Sequence, residues 1–249
     1  MIRMSRALLP VCFCAVLAPG VAAAQSSGWD GRVRVSVNGG VQAGNDTLAQ
    51  SFSVPKNLEA TPITVDIDAR RGQLFEAGIV VRLKGAFGVG GAVSYLTHDS
   101  NANVTAQVPH PFFFNQPRTV TGTTPVSRTE IVGHLDAVYI VPGRKLDLLL
   151  SGGPSVFSLD QTLATDITYG DTYPYDTASF LSATTTRATK TATGYHLGAD
   201  VTWKLSRNFG LGGMIRYTRA SATLSAGSDN TVKDNAGGLQ AGGGIRIAF

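Results

Sequence analysis

Apolar and polar side chains alternate along most of this chain with a period of two residues. The stretch TGYHLGADVTWKL at 193–205 is the clearest case. One parity carries Tyr195, Leu197, Ala199, Val201, Trp203 and Leu205, and the other carries His196, Gly198, Asp200, Thr202 and Lys204. Because successive side chains of a β-strand point to opposite faces, this pattern predicts a strand with one apolar face.

Runs of this kind recur and predict about eight strands, each close to the 9–11 residues that a tilted strand needs to cross a bilayer. They lie at 31–42, 72–84, 86–98, 127–141, 145–158, 193–205, 208–219 and 237–249. The chain is rich in Gly and Pro (29 and 11 residues), which disfavour helices. No segment after the N-terminal one is long and apolar enough for a membrane helix. The sequence therefore predicts an all-β protein.

The connections between these runs alternate in length. Three are tight, at 84–86, 142–144 and 206–208, whereas the other four are long and polar, at roughly 44–71, 99–127, 160–191 and 224–237. Tight turns at one end and long loops at the other are typical of a barrel that spans a membrane. In lipid, only a closed barrel leaves no strand edge unpaired. We therefore predict an up-and-down antiparallel transmembrane β-barrel of about eight strands, with four long extracellular loops.

Alternation alone also fits a soluble barrel with its apolar face inward, but three features favour lipid outside. The polar parity is rich in Gly, Ala, Ser and Thr, which suits the narrow interior of a small barrel. The apolar parity lacks charge across each run, where Arg or Lys at mid-bilayer would cost about 2–4 kcal/mol. Its aromatic residues form two predicted girdles: Phe75, Tyr95, Tyr195 and Tyr217 near the long connections, and Phe87, Tyr139, Trp203, Phe209 and Phe249 near the turns.

The first residues have the layout of a secretory signal peptide. Arg3 and Arg6 precede a short apolar run that ends on three alanines at 22–24. We predict cleavage after Ala24, which divides the chain into a signal peptide (1–24) and a barrel domain (25–249). Removing it takes away both cysteines and lowers the net charge from +4 to +2. No Lys/Arg-rich run remains that would indicate nucleic-acid binding.

The signal peptide, the eight-run meander and the C-terminal run GGLQAGGGIRIAF together resemble the small outer-membrane β-barrel family, with its OmpA-like and OmpX-like membrane domains. The resemblance implies residence in the outer membrane of a Gram-negative bacterium, in contact with lipid and lipopolysaccharide. It also implies recognition of the last strand, with Ile245, Ile247 and Phe249, by the outer-membrane insertion machinery.

Charged residues fall mainly on the inward parity, where both signs are present. They are Arg32, Arg34, Glu76, Arg82, Glu130, His134, Asp136, Asp147, His196, Asp200, Lys204, Arg216 and Arg246. Unpaired charges in a narrow lumen would be costly, so we predict an internal network of ion pairs and hydrogen bonds. The alternative is a narrow polar conduit for water or small ions.

Catalysis has weaker support. His134 and Asp136, and likewise His196 and Asp200, share a face, but the sequence does not reveal a nucleophile held by a base. No catalytic, cofactor-binding or metal-ligating residue is predicted, since the histidines are scattered.

Aromatic residues also occur in two of the long connections. They are Phe112, Phe113 and Phe114 in the second connection and Tyr173 and Tyr175 in the third. The phenylalanines are expected either to pack over the barrel mouth or the membrane surface, or to form a contact site for an unknown ligand. The predicted function is a non-enzymatic structural or surface-interaction role, with a porin-like channel as the alternative and an outer-membrane enzyme as the third possibility.

Overall fold

The computed structural model of the chain describes residues 32–43, 47–68, 72–227 and 230–249. Its strands are β1 (Val33–Ala43), β2 (Thr47–Lys56), β3 (Glu59–Asp68), β4 (Gly72–Lys84), β5 (Phe87–Val108), β6 (Arg118–Val141), β7 (Leu146–Asp171), β8 (Ala178–Lys204), β9 (Phe209–Ser225) and β10 (Thr231–Ala248). The predicted signal peptide at 1–24 lies outside the described residues. Within them, no helix is long and apolar enough to cross a membrane.

Eight of these strands form a closed antiparallel ring. Its order is β5-β4-β1-β10-β9-β8-β7-β6, and β6 pairs back onto β5. The ring closes between the first and last strands, where the backbone groups of Val33 and Phe249 exchange two hydrogen bonds. The predicted fold class, an up-and-down antiparallel barrel of about eight strands, is confirmed. The strands β2 and β3 form an additional hairpin, and β3 pairs with the upper part of β5 from Ile63↔Ala106 to Asp66↔Asn103.

Close strand contact at this seam depends on glycine. On β10, a methyl group added at Gly244 would overlap the carbonyl oxygen of Val37 on β1. Any side chain there would force the two strands to shift, so their close pairing at this point depends on glycine.

The predicted long loops are largely strand, and this corrects the expectation from the sequence. Strands β5 to β10 continue well beyond the predicted runs, and the first connection contains the hairpin β2–β3. At the end of the barrel where the long loops were predicted, the described residues outside strands are confined to 57–58, 109–117, 172–177, 226–227 and Asn230. The barrel wall therefore extends into a projection made of β-structure.

Side-chain polarity reverses where the strands enter this projection. On β6, the outward side chains of Ile131, Leu135 and Tyr139 are apolar and exposed, whereas outward Thr121 and Thr123 higher on the strand are polar. The inward face changes in the opposite sense, from His134 and Asp136 to Val120 and Val126. The parity is continuous, so one face meets a different environment at each end of the strand.

A hydrophobic core fills the projection. It contains the buried side chains of Leu48, Ile63, Val65, Ile67, Ala102, Val104, Ala106, Val108, Val120, Val126, Leu163, Ala164, Ile167, Ala188, Leu224 and Val232. The projection therefore has an apolar interior, and it lies on top of a barrel with an apolar exterior.

Exposed aromatic side chains form two belts around the lower barrel, at the predicted positions. The upper belt is Phe75, Tyr95, Tyr195 and Tyr217, and the lower belt is Phe87, Tyr139, Trp203, Phe209 and Phe249. On β5, β8 and β9 the two belts lie eight positions apart along the strand. At about 3.3 Å per residue and a tilt near 40°, that spacing spans roughly 20 Å along the membrane normal.

The reversal predicts different environments for two outward sites on β6. A nitroxide label at Leu135 should be accessible to oxygen dissolved in lipid, whereas a label at Thr123 should be accessible to a water-soluble nickel reagent. Continuous-wave electron paramagnetic resonance in reconstituted vesicles measures both. Equal nickel accessibility at the two sites would contradict a membrane boundary between them.

Candidate functional site: the filled lumen and the projecting tip

The lumen at the turn end contains a cluster of three cations and two carboxylates. Asp147 accepts hydrogen bonds from Arg34 Nη2 at 3.0 Å and lies 2.8 Å from Lys204 Nζ. Arg246 is fully buried and pairs with Asp200, with Nε 3.1 Å from Oδ2. The strands β1, β7, β8 and β10 supply these groups, which come together because all share the inward parity.

A second ion pair lies higher in the lumen. Arg216 on β9 donates to the Glu76 carboxylate on β4, and Asn38 Nδ2 donates to Glu76 Oε1 at 3.2 Å. A cavity of about 50 Å³ separates this pair from the cluster below, and its lining includes Ser36 and Ser151. That volume holds a few water molecules at most.

Beside this pair, a chain of hydrogen bonds links one carboxylate, two histidines and two serines, in the order Asp136, His196, Ser155, His134 and Ser94. Asp136 Oδ1 lies 2.7 Å from His196 Nε2, and Ser155 Oγ lies 2.9 Å from both His196 Nδ1 and His134 Nδ1. The other nitrogen of His134 contacts Ser94 Oγ at 3.1 Å. Each ring nitrogen therefore has a partner, which satisfies buried polar groups that would otherwise be costly.

This chain has the order Asp–His–Ser of a nucleophilic triad, which the sequence did not reveal. Its setting differs from an active site, because Ser155 is 1% exposed and His196 is fully buried. Ser155 is followed on β7 by Phe157 and Leu159, which are buried in an apolar cluster with Val132 and four alanines. These hydrogen bonds hold the lumen side chains in place, and they leave no room for a substrate beside the Ser155 hydroxyl.

An uppermost polar layer is centred on Arg128. This side chain is 2% exposed, and it contacts Glu130 at 2.6 Å, Asp234 at 2.8 Å and Gln161 at 3.2 Å. Gln240 Nε2 donates to Gln42 Oε1 at 2.9 Å in the same part of the barrel. Above this layer the interior becomes apolar.

The structure places two predicted network residues outside the network. Arg32 is exposed at the turn end, and the Arg82 guanidinium donates to the carbonyl oxygen of Gly85 at 2.6 Å in the adjacent turn. Both lie at strand ends, where inward parity no longer means burial. The other eleven predicted residues line the lumen in the layers described above.

Sequence reasoning missed several lumen groups for two reasons. Arg128 and Asn38 lie on the inward parity of predicted runs, so parity alone could have identified them. Gln161 and Asp234 lie in segments interpreted as loops, where no parity was assigned. Ser94 and Ser155 gave no signal, since serine is common on the inward face.

An amide clamp joins the additional hairpin to the barrel inside the apolar core. Gln50 on β2 is fully buried, and its side chain donates to Ala164 O at 2.6 Å and accepts from Ala164 N at 3.1 Å. It also donates to Asn230 Oδ1 at 2.8 Å. The clamp uses backbone groups at a register shift in β7 between Ala164 and Asp166. It fixes β2 across the mouth of the barrel.

Three hairpin tips meet at the far end of the projection. Asn57 Nδ2 donates to Pro109 O at 3.2 Å, and the backbone N–H of Asn115 donates to Glu59 at 2.8 Å. Arg118 joins the third tip, because its guanidinium donates to Tyr175 O at 2.9 Å and to Asp171 at 3.0 Å. These polar contacts hold the tips in one arrangement.

Apolar side chains on the tips point into solvent. The exposed fractions are 94% for Leu58, 69%, 56% and 66% for Phe112, Phe113 and Phe114, and 82% for Tyr173. The Phe112 ring packs edge-on against Tyr175 at 5.4 Å, and Phe113 lies 4.8 Å from the His110 ring. The exposure of the three phenylalanines shows that they do not pack against the barrel mouth, which the hydrophobic core fills. We call Leu58, Phe112, Phe113, Phe114 and Tyr173 the aromatic tip.

Among the described residues, no group of three His, Cys, Asp or Glu side chains is placed to hold a metal ion.

Comparisons with known proteins reveal likeness in structure. No family model and no curated protein sequence matches the chain. The outer membrane protein OprG from Pseudomonas aeruginosa is 11% identical, with a TM-score of 0.48, covering 88% of this chain and 96% of its own. The Neisserial surface protein NspA is 12% identical, with a TM-score of 0.44, covering 87% and 97%. The outer membrane protease OmpT from Escherichia coli is 8% identical, with a TM-score of 0.48, covering 91% and 99%.

The lumen pairs predict a strong asymmetry between single and double substitutions. Arg216→Met leaves the Glu76 carboxylate buried without its cation, so it should lower the free energy of unfolding by about 3–5 kcal/mol. Glu76→Gln with Arg216→Met should recover part of that loss. Urea unfolding in lipid vesicles measures both.

The matched control is Arg187→Met. Arg187 pairs with Asp160 at 3.2 Å on the outside of the projection and is largely exposed, so the change should cost under about 1 kcal/mol. Equal losses for Arg187→Met and Arg216→Met would contradict a stabilising role for the buried pair.

Proposed function

We propose that the protein is a non-enzymatic outer-membrane β-barrel of a Gram-negative bacterium, closed along its lumen, which presents a rigid β-projection to partners outside the cell. The observation that carries the proposal is the reversal of side-chain polarity. The strands that cross the membrane continue outside it and enclose an apolar interior there. The same strands therefore hold the protein in the membrane and support the projection. The outward apolar band contacts lipid and lipopolysaccharide, and the last strand is the segment that the insertion machinery recognises.

The lumen is filled by polar side chains in one part and by apolar side chains in another, and both support the proposal that it is closed. The membrane part is occupied by paired charges in layers, with a small cavity of about 50 Å³ between two of them. The mouth is occupied by the hydrophobic core, in which Val65 and Leu163 are fully buried. Ions would have to pass both fillings, and in the apolar one the buried amides of Gln50 and Asn230 are already bonded to each other and to Ala164.

The buried state of the Asp136–His196–Ser155 chain supports a non-enzymatic role. A catalytic serine needs space for a substrate carbonyl and donors for the oxyanion. Ser155 is instead enclosed by two histidines and flanked by buried apolar residues. Its hydrogen bonds are those of a structural network.

The aromatic tip supports a contact role for the projection. Leu58 adopts a left-handed backbone conformation (φ 69°), which glycine or asparagine adopts at lower cost, yet it is a leucine pointing into water. On β5, Val108 lies thirteen positions beyond Tyr95 of the upper belt, which places the tip roughly 40 Å along the strand from the membrane. At that distance the side chains face a partner rather than their own bilayer.

Planar-bilayer recordings test the closed lumen. The wild-type protein should give no steady unit conductance, and Glu76→Ala with Arg216→Ala should give none either, because the core at the mouth remains. An open porin prepared in the same detergent is the positive control. Steady unit steps from the wild type would favour the alternative function, a narrow small-solute channel.

Selection with a random peptide library tests the contact role. Protein embedded in nanodiscs should enrich peptides that are lost when Phe112, Phe113 and Phe114 are all replaced by Ser. The matched control replaces the outward threonines Thr119, Thr121 and Thr123 by Ser, which should leave the enriched set unchanged. Enrichment that is indifferent to the three phenylalanines would contradict the aromatic tip as a contact surface.

A further inference from the structure

The barrel end at which strands meet in tight turns is strongly basic. Its exposed or half-exposed cations are Arg32, Arg82, Lys84, Arg144, Lys145 and Arg207, which we call the basic rim. Among the described residues, the side-chain carboxylates at this end are Asp147 and Asp200. Both point into the lumen, where Arg34, Lys204 and Arg246 pair with them. The rim therefore retains its positive charge.

The basic rim surrounds the barrel. Lys84 lies in the turn between β4 and β5, Arg144 and Lys145 in the turn between β6 and β7, and Arg207 in the turn between β8 and β9. Arg32 precedes β1, which pairs with β10 and completes the circle. Each pair of strands that meets at this end thus contributes at least one cation.

The rim also lies at a defined height. Lys84 pairs with Phe87, Lys145 precedes Leu146 opposite Trp203, and Arg207 lies two residues before Phe209. Phe87, Trp203 and Phe209 belong to the lower aromatic belt, and such belts mark the headgroup zone of a bilayer. Long basic side chains next to that belt extend their charges to the level of the lipid phosphates.

The projecting end differs in its charge pattern. There, Lys56 pairs with Asp166 at 2.9 Å and Arg187 pairs with Asp160 at 3.2 Å, so cations and carboxylates are mixed along the outer surface. Four rim cations, Lys84, Arg144, Lys145 and Arg207, have no carboxylate partner in the part of the chain that the structure describes. The two ends of the molecule therefore present different electrostatic surfaces.

We propose that the basic rim binds the headgroups of anionic phospholipids in the membrane leaflet at the turn end, and so selects these lipids from the surrounding bilayer. Clustered Lys and Arg at the membrane surface attract anionic lipid, and salt weakens the attraction. This interaction goes beyond the proposed function, because it depends on neither the closed lumen nor the aromatic tip.

Spin-labelled lipids provide the test. The full-length protein is reconstituted in phosphatidylcholine vesicles that contain a trace of nitroxide-labelled phosphatidylglycerol or phosphatidylcholine. The motionally restricted fraction should favour phosphatidylglycerol by at least about threefold at low ionic strength. The preference should fall in about 0.5 M NaCl, where the Debye length is below about 5 Å.

A rim variant identifies the responsible charges. Lys84→Gln, Arg144→Gln, Lys145→Gln and Arg207→Gln together should bring the lipid preference close to one. The matched control removes four cations from the projecting end, with Lys56→Gln, Arg187→Gln, Lys190→Gln and Lys233→Gln, and should keep the wild-type preference. A mobility difference between unheated and boiled samples on detergent gels establishes that each variant is folded.

Three outcomes would overturn the proposal: no lipid preference in the wild-type protein, a preference that survives in the rim variant, or one that disappears in the control. Binding of soluble polyphosphate without any lipid preference would assign the rim to a soluble polyanion and would also overturn it. None of these results bears on conductance, so a failure here is distinguishable from a failure of the proposed function.

Discussion

Closure of the backbone hydrogen-bond ladder is the constraint on which this structure depends. Inside a bilayer, each strand must find a partner on both sides, so the strands must form a ring. A ring of eight strands has an interior just wide enough for side chains. The lumen is therefore filled, and any charge in it needs an opposite charge within reach, as Glu76 has in Arg216. The layers of ion pairs follow from the size of the ring.

The same strands pass through two solvents, and this explains the reversal. In lipid, an apolar side chain gains little by pointing inward, so the interior can be polar if it is internally paired. In water, burial of apolar area contributes about 25 cal/mol per Å², so the interior of the projection is apolar and its exterior is rich in Thr. Parity along each strand is fixed by backbone geometry, and only the residue types change.

The period-two alternation of apolar and polar residues predicted the structure correctly as far as the membrane boundary. It located the strands that form the ring, both belts and the inward positions of Glu76, His134 and Arg216. It failed beyond the upper belt, because alternating Thr and Val were interpreted as polar loop rather than as strand with the opposite orientation. The sequence also could not predict which lumen charges pair with each other, since Glu76 and Arg216 lie 140 residues apart and meet only through ring closure.

The projection has a further consequence for binding. A contact surface on a flexible loop loses conformational entropy when it binds, which reduces affinity. Here the aromatic tip is supported by paired strands, by the clamp at Gln50 and by the contacts of Arg118, so most of that entropy is already lost on folding. The structure thus combines a preorganised apolar surface at one end with a charged rim at the other. Because the two ends differ in chemistry, the two proposed contacts do not compete for the same ligand.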